Sequence, residues 1–276
     1  MSVHSLTVPG AGLVELTVTE RGQGHPVLLL HGGGGPLTVT AWADRFAEAK
    51  PARVLTPVHP GFNATPRPAG LDSIAGLAAT YVALLDALDL HDVTVIGNSI
   101  GGWIAAEMAL LRSPRVSSYV LVDAVGIEVA GHPVADFFSL TPAGLAARSY
   151  HDPKTYGVDP AKLPAQIREA MAGNRTALEV YAGRAMTDPT LADRLSGVTT
   201  ATLVVWGEAD RIGDTAFGRA YAAAIPGAQF TLLPGTGHLP QIETPDALIE
   251  TVWSFADAHA TRKPGRSSTT GDLSVA

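Results

Sequence analysis

The ten residues 93–102, Val-Thr-Val-Ile-Gly-Asn-Ser-Ile-Gly-Gly, constrain the fold of this chain more than any other stretch. Four residues of strand character run directly into Gly-x-Ser-x-Gly, and an apolar, helix-like segment follows at once. A strand that turns this sharply into a helix places its central serine, Ser99, on a strained apex. Gly97 and Gly101 flank the apex because a side chain there would collide with the neighbouring helix and strand. The pattern predicts a nucleophile with the backbone N–H group of Ile100 beside it. The alternative is a glycine-rich turn whose serine only caps the helix.

Strand and helix signals alternate along most of the chain. The strand signals lie at residues 13–19, 27–30, 53–58, 93–96, 119–122, 202–206 and 229–232. This alternation predicts an α/β fold with a mostly parallel sheet and right-handed crossovers. Between residues 124 and 196 the sequence shows helical pieces but no convincing buried strand. We therefore expect two units and a tail: a core formed by residues 1–124 and 197–261, a helical cap at residues 125–196, and a disordered tail at residues 262–276.

Composition narrows the classes of partner that the chain can have. The formal net charge is −7, with no basic run before the tail, which argues against nucleic acid and anionic membranes. No window approaches the roughly 18 apolar residues of a membrane span, and residues 1–12 lack the features of a signal peptide. The absence of cysteine excludes disulfides, thiolate metal ligands and a thiol nucleophile. We expect a cytoplasmic protein that acts on a small molecule without a metal or cofactor, and that could form a homodimer.

A nucleophilic serine needs a general base and an acid that orients the base. The base candidate is His238, which follows the last strand signal in the loop Pro-Gly-Thr-Gly-His-Leu-Pro. The acid candidate is Asp210, in the turn Gly-Glu-Ala-Asp after the preceding strand. Because ligand sites of parallel sheets lie at the carboxyl ends of the strands, we expect Ser99, Asp210 and His238 at the same edge. Two rival acids stay open: Glu208 in the same turn, and Asp123 at the end of an earlier strand.

The oxyanion of a tetrahedral intermediate needs two backbone N–H donors. Ile100 can supply one of them at the start of the helix. The second is expected from the glycine run at residues 32–35, where either Gly33 or Gly34 could donate. This run lacks the Lys-Ser/Thr of a P-loop and the context of a dinucleotide-binding motif, so a phosphate site is disfavoured. His31, just before the run, is expected to brace the loop rather than to take part in the chemistry.

Four motifs in this order resemble the α/β-hydrolase superfamily. They are His-Gly-Gly-Gly at residues 31–34, Gly-Asn-Ser-Ile-Gly-Gly at 97–102, Gly-Glu-Ala-Asp-Arg at 207–211 and Gly-His at 237–238. The resemblance covers residues ~10–260 and implies an eight-stranded, mostly parallel sheet flanked by helices. It also implies a helical cap inserted after the sixth strand and a catalytic triad of Ser99, His238 and Asp210.

Within that superfamily, Gly-Asn-Ser-x-Gly-Gly preceded by His-Gly-Gly-Gly resembles the meta-cleavage-product hydrolases, which cleave C–C bonds in vinylogous diketones. This resemblance implies that Asn98 helps to hold a substrate oxygen. It also implies that an arginine of the cap, either Arg184 or Arg148, binds a substrate carboxylate. Leu239 stands where these enzymes usually carry a tryptophan, and we expect it to contact the substrate. Cofactor-free haloperoxidases and esterases share the triad, whereas haloalkane dehalogenases have aspartate where this chain has Ser99.

The sequence therefore predicts a serine hydrolase that cleaves a small, mostly apolar ester or a related carbonyl compound through an acyl-enzyme. Hydrolysis of a C–C bond of the meta-cleavage type is the first alternative, in which His238 shuttles a substrate proton. A non-catalytic binding protein, a lyase or a perhydrolase on the same fold is the second, because fold alone does not determine function. Serine, histidine and acid together at strand ends favour hydrolysis over binding.

Overall fold

An eight-stranded β-sheet runs through the part of the chain that the computed structural model describes, residues 1–261. The strands are Ser2–Val8 (β1), Gly12–Arg21 (β2), His25–Leu30 (β3), Ala52–Pro57 (β4), Val93–Asn98 (β5), Val116–Val122 (β6), Ala201–Gly207 (β7) and Gln229–Leu233 (β8). Their order across the sheet is β1-β2-β4-β3-β5-β6-β7-β8. Strand β2 pairs antiparallel with β1 and β4, and the other pairs are parallel. The structure confirms the predicted α/β fold class and the mostly parallel sheet.

The described residues also form α-helices, some of which cover the two faces of this sheet. They are Leu37–Ala49 (α1), Ile74–Ala87 (α2), Ile100–Leu110 (α3), Pro142–Ser149 (α4), Pro153–Tyr156 (α5), Ala165–Ala182 (α6), Leu191–Leu195 (α7), Thr215–Ala224 (α8), Pro240–Glu243 (α9) and Pro245–His259 (α10). Helices α1 and α10 pack on one face, and α2, α3 and α8 pack on the other. Within the described residues, none of these helices is both long and apolar enough to cross a membrane.

The position of β5 explains the apolar character of the stretch that contains Ser99. This strand lies inside the sheet between β3 and β6, and all six of its residues are buried. A strand that is covered on both faces needs apolar side chains in sequence rather than in alternation. The helix that follows, α3, packs against both the sheet and α2, and its residues are buried from Ile100 to Ala109. The turn at Ser99 therefore lies between two elements that are almost entirely buried.

Strand β1 is an element that the sequence analysis missed. Its buried side chains, Leu6 and Val8, are followed after a short turn by the buried residues Val14, Leu16 and Val18 of β2. The rest of β1 is mostly exposed because it is the edge strand of the sheet. With only two apolar positions facing the core, β1 has too little alternation to stand out before its partner is known.

The chain between β6 and β7 forms helices α4 to α7 and a 3₁₀ turn at Pro160–Lys162. Among the described residues of this segment, the only β-structure is an isolated bridge between Gly126 and Thr187. The expected division into core residues 1–124 and 197–261 and cap residues 125–196 stays a prediction. The expected disordered tail, residues 262–276, lies outside the described residues.

Candidate active site

The nucleophile candidate lies on the turn between β5 and α3. Ser99 has φ 58° and ψ −117°, a strained conformation of the kind found at functional turns. A Cβ on Gly97 would lie 2.0 Å from the carbonyl oxygen of Gly101, and a Cβ on Gly101 would lie 2.3 Å from that of Leu30. The turn therefore requires glycine on both sides of the serine. The Ser99 hydroxyl makes no capping hydrogen bond to the helix, which contradicts the alternative of a structural cap.

The base and acid candidates meet beyond the ends of β7 and β8. Nδ1 of His238 lies 2.8 Å from Oδ2 of Asp210, and both residues are buried. The second carboxylate oxygen of Asp210, Oδ1, accepts a hydrogen bond of 2.7 Å from the N–H group of Ile212. With Nδ1–H directed at the carboxylate, Nε2 of the imidazole is available to accept a proton from a serine hydroxyl.

The two rival acids make other contacts. Glu208 is exposed, and its carboxylate accepts a hydrogen bond of 3.1 Å from the N–H group of Gly235, so it stabilises the loop that precedes His238. Asp123 is fully buried, and its Oδ1 accepts a hydrogen bond of 2.7 Å from the N–H group of Gly207. Because the imidazole bonds to Asp210, the geometry favours Asp210 as the orienting acid.

Backbone contacts hold the loop that carries His238. The N–H group of His238 donates to the carbonyl of Ser149, at the end of α4, over 2.8 Å. The carboxylate of Glu243 accepts from the N–H group of Gly237 at 2.6 Å and from that of His151 at 3.1 Å. The loop is therefore connected on two sides to the segment between α4 and α5.

The side chain of Asn98 makes its hydrogen bonds to protein groups, and the contact with a substrate oxygen that the resemblance implies stays a prediction. Its amide nitrogen donates to the carbonyls of His238 and Val122, at 3.1 and 3.3 Å. Its amide oxygen accepts from Nε2 of Gln241 at 3.2 Å. Asn98 borders the cavity at Ser99, but these bonds commit its amide to protein partners, so that it joins the serine turn to the histidine loop. Gln241 was not predicted to belong to the site, because only this contact with Asn98 places it there.

The expected oxyanion donors lie on the turns that follow β5 and β3. The N–H group of Ile100 begins α3, and Gly33 and Gly34 belong to a turn closed by a hydrogen bond of 3.1 Å from the N–H group of Gly35 to the carbonyl of Gly32. In the described part of the chain, the amides of Ile100, Gly33 and Gly34 donate to no protein acceptor. Both glycines line the same cavity as Ser99, so the choice between them stays open.

Ser99, His238 and Leu239 border a cavity of about 470 Å³ with a largely apolar lining. Leu239 thus lines the cavity, and its expected contact with the substrate stays a prediction. Arg184 lies elsewhere: it pairs with Glu179 at 3.2 Å and borders a separate surface pocket. Arg148 donates to the carbonyl of Arg211 at 3.4 Å, and within the described residues it is also absent from the cavity lining.

Within the described residues, neither Arg184 nor Arg148 lines the cavity at Ser99, and the expectation that one of them binds a substrate carboxylate stays a prediction. Arg184 directly follows Gly183, whose φ of 64° turns the chain away from the end of α6. The arginines that do line the cavity are Arg168 and Arg175, both on α6. The sequence alone does not identify Arg168 and Arg175 as cavity residues, because the face that α6 presents to the core depends on tertiary packing.

Helix α6 also contributes Asn174, which the sequence analysis missed. The amide nitrogen of this buried residue donates to the carbonyl of Gly34 at 3.2 Å, and its oxygen accepts from the N–H group of Asn63 at 2.7 Å. One helix turn further on, the side chain of Leu178 lies against Gly33, where an added Cβ would be 2.8 Å away. Helix α6 therefore packs directly on the glycine turn.

Two buried histidines hold the other end of this turn. His31 Nδ1 lies 2.8 Å from the carbonyl oxygen of Gly32, and its Nε2 accepts from the N–H group of His59 at 3.1 Å. Nε2 of His59 in turn lies 2.8 Å from the carbonyl oxygen of His31. Burial lowers the pKa of His31 from its ordinary value of 6.5 to about 4, although the bond to Gly32 acts in the opposite direction. His31 is therefore neutral at pH 7 and braces the glycine turn.

Acidification from pH 7 to pH 5 is expected to lower the free energy of unfolding by about 2 kcal/mol through His31 alone. The unfolded chain takes up the proton near pH 6.5, whereas the folded chain takes it up only near pH 4. Stability is therefore full above pH 6.5 and is lost as the pH falls towards 4. Urea unfolding at both pH values measures this difference.

His31→Asn should reduce that pH-dependent loss by a similar amount, because asparagine does not titrate. The matched control is His91→Asn, since the His91 side chain is about half exposed, at 48%, on the surface. If His31→Asn and His91→Asn change the pH dependence equally, His31 is not the group responsible.

Comparison with known proteins gives consistent matches over nearly the whole chain. The model of a family described as alpha/beta hydrolase matches residues 27–251. A 2-hydroxymuconate semialdehyde hydrolase from Pseudomonas putida is 30% identical over 257 residues, which cover 87% of this chain and 90% of that protein. Lipase 3 from a Moraxella species is 27% identical over 257 residues, covering 88% and 81%.

Solved structures share the fold at lower identity. An esterase from Thermogutta terrifontis superposes with a TM-score of 0.76 at 23% identity, over 95% of this chain and 100% of that one. A meta-cleavage product hydrolase from Pseudomonas fluorescens superposes with a TM-score of 0.69 at 22% identity, over 92% and 97%. Both esterases and C–C hydrolases are therefore among the proteins with the same architecture.

Proposed function

The chain belongs to the alpha/beta hydrolase family, and from this premise we propose that it is a serine hydrolase of a small, mostly apolar ester or related carbonyl compound. One observation carries the proposal: a strained serine, a histidine bonded to a buried aspartate, and unpaired backbone N–H groups meet at one apolar cavity. Each of these groups has a defined task in acyl transfer.

In the proposed first half of the reaction, Nε2 of His238 takes the proton of the Ser99 hydroxyl, and the serine oxygen attacks the substrate carbonyl carbon. The carbonyl oxygen becomes an oxyanion, which the N–H groups of Ile100 and of Gly33 or Gly34 stabilise. Asp210 stabilises the imidazolium through Nδ1–H without taking its proton. The imidazolium then gives its proton to the leaving alcohol, and an acyl-enzyme remains.

In the second half, His238 takes a proton from a water molecule, which attacks the acyl carbon. The second tetrahedral intermediate collapses, Ser99 recovers its proton from the imidazolium, and the acid is released. Both halves of the reaction therefore use the same catalytic groups in the same positions.

The cavity lining supports a mostly apolar substrate. The apolar side chains that border it are those of Phe137, Leu140, Pro142, Leu145, Pro160, Met171, Ala172, Leu178, Met186, Ile212 and Leu239. Burial of such surface against a ligand contributes about 25 cal/mol per Å² of apolar area removed from water, before the entropy loss of binding. The predicted small-molecule partner, homodimer and cytoplasmic location stay predictions beside this proposal.

A second candidate is C–C hydrolysis of a dienoate ketone, and the arginines in the cavity lining favour it. Arg168 and Arg175 border the cavity and could bind a carboxylate, a group that a muconate derivative carries. Arg175 is already engaged, since it donates to the carbonyl of Phe137 at 3.3 Å and lies 5.0 Å from the centre of that ring. These protein contacts weaken the case for Arg175 as a free carboxylate ligand and leave the ester as our first choice.

The purified protein should react with a fluorophosphonate probe, and peptide mass mapping should find the adduct on Ser99. A nitrophenyl ester and a dienoate ketone are then assayed in parallel on the same preparation. We expect turnover of the ester, and Arg168→Gln should leave its KM nearly unchanged.

A dienoate turnover that exceeds ester turnover, with a KM that rises in Arg168→Gln, would favour the C–C reaction instead. Failure of the folded protein to form any adduct on Ser99 would reject the serine-hydrolase proposal as a whole.

A further inference from the structure

Two buried carboxylates, rather than one, lie beside the imidazole of His238. One atom from each of Asp123, Asp210 and His238 lies within 4.8 Å of the other two. We propose that Asp123 is a positioning residue that holds a proton next to Asp210, and that it becomes the orienting carboxylate when the charge of Asp210 is removed. This inference rests on the proposed function, because it assigns a role relative to the histidine base.

The position of Asp123 is fixed by the sheet. It follows β6 directly, with φ 45°, and its N–H group donates to the carbonyl of Val205 on β7 over 2.9 Å. Its Oδ1 accepts a hydrogen bond from the N–H group of Gly207, and the residue is fully buried. Among the described residues, its Oδ2 has no hydrogen-bond partner. A carboxylate with one bare oxygen in a dry site is strongly disfavoured, whereas a carboxylic acid there can use its proton as a donor.

The hydrogen bonds decide which of the two acids keeps the proton. Both oxygens of Asp210 face donors, the N–H group of Ile212 and the imidazole of His238, so Asp210 is the acid that its surroundings stabilise as an anion. Asp123 has a single donor. Burial first, and then the negative charge of Asp210, raise the pKa of Asp123 far above its usual range, and the charge of Glu243 acts in the same direction. Asp123 is thus the neutral member of the pair.

A neutral acid in this position has two consequences. As a donor next to Asp210, it helps to keep the negative charge of Asp210 in place, which favours the imidazolium that forms during the reaction. When the charge of Asp210 is removed, the main charge that keeps Asp123 protonated disappears as well. Burial still raises the pKa of Asp123 in Asp210→Asn, but the new amide nitrogen can donate a hydrogen bond to the bare Oδ2 of Asp123. Asp123 can then ionise, and a carboxylate remains close to the imidazole.

The test is the rate at which a fluorophosphonate labels Ser99 in the intact protein and in Asp123→Asn, Asp210→Asn and the double variant. Asparagine imitates a protonated aspartate and can still accept from Gly207, so Asp123→Asn should lower the rate by less than about tenfold. Asp210→Asn should lower it by about 10²-fold, instead of the roughly 10⁴-fold seen when a triad has a single acid. The double variant should reach about 10⁴-fold.

A pH profile gives a readout that a purely structural role would not change. In Asp210→Asn, labelling should require ionised Asp123 as well as neutral His238. The acidic limb of the rate profile should therefore contain a contribution from Asp123, which is absent in the double variant, where only the protonation of His238 remains. Thermal unfolding of all four proteins shows whether any loss is a loss of the fold.

Equal fold-changes for Asp123→Asn in the presence and in the absence of Asp210 would overturn the inference. So would a severe loss in Asp123→Asn with a mild loss in Asp210→Asn, since Asp123 would then be the orienting acid itself. Failure of the intact protein to label at Ser99 would instead contradict the proposed function, which keeps the two failures apart.

Discussion

Replacing Ser99 with alanine is expected to lower kcat for a nitrophenyl ester by about 10⁶-fold while the protein stays folded. The hydroxyl is the only protein group in the proposed reaction that forms a bond to the substrate carbon. It makes no capping hydrogen bond to α3, so its loss removes no support from the helix. Alanine has the same backbone restrictions as serine at φ 58°, so the strained turn is not relieved. Steady-state kinetics and thermal unfolding measure the two effects separately.

Ser117→Ala is the matched control for this prediction. Ser117 lies on β6, and its hydroxyl donates to the carbonyl of Val93 over 3.4 Å, outside the cavity lining among the described residues. Its replacement should change kcat less than about twofold, because surface hydrogen bonds of this kind contribute little. If Ser99→Ala retains more than about a hundredth of the activity, a nucleophile other than Ser99 carries the reaction.

The serine turn could be predicted because all of its determinants are local. Strand, glycines, serine and helix are contiguous in the sequence, and the collisions that exclude a side chain at Gly97 occur within the same turn. Asp210 and His238 are distant from it in sequence, but each follows a parallel strand, and the carboxyl ends of such strands meet at one edge. The topology of a parallel sheet predicts which residues lie at this edge, but it does not predict which of their side chains form hydrogen bonds there.

The remaining parts of the site depend on side-chain contacts that no local pattern encodes. The place of Asn98 beside Ser99 follows from the sequence, whereas the bonds of its amide to Gln241 and to the carbonyl of His238 do not. The cap arginine was expected at Arg184 or Arg148, whereas the rotation of α6 brings Arg168 and Arg175 to the cavity. Helix rotation follows from packing of the whole segment, and therefore the sequence alone leaves it undetermined.

Asp123 and Asp210 are a second case in which the sequence does not determine the role of a side chain. Both follow buried strands, so sequence reasoning treated them as alternatives for one role. The structure places both beside His238, and they differ in the number of hydrogen-bond donors that reach their carboxyl oxygens. Asp210 has two such donors and Asp123 has one. Such a difference in local donors determines charge, and it becomes visible only with coordinates.

Replacing His238 with alanine is expected to lower kcat about as much as the loss of Ser99, by about 10⁶-fold, and to slow fluorophosphonate labelling of Ser99 as well. The hydroxyl of serine is a weak nucleophile without a base to take its proton. The fold should be retained, because the contacts that hold this loop use the backbone: its N–H group bonds to Ser149 and its carbonyl to Asn98.

The control for His238→Ala is His132→Ala, since His132 is partly exposed and pairs with Asp214 away from the cavity at Ser99. Labelling should be unaffected in that variant. The double variant Ser99→Ala with His238→Ala should be hardly slower than either single variant, because serine and histidine act as one unit and the second removal takes away nothing that still functions. If the two losses instead multiply, the groups act independently, and the proton transfer from Ser99 to His238 is not part of the reaction.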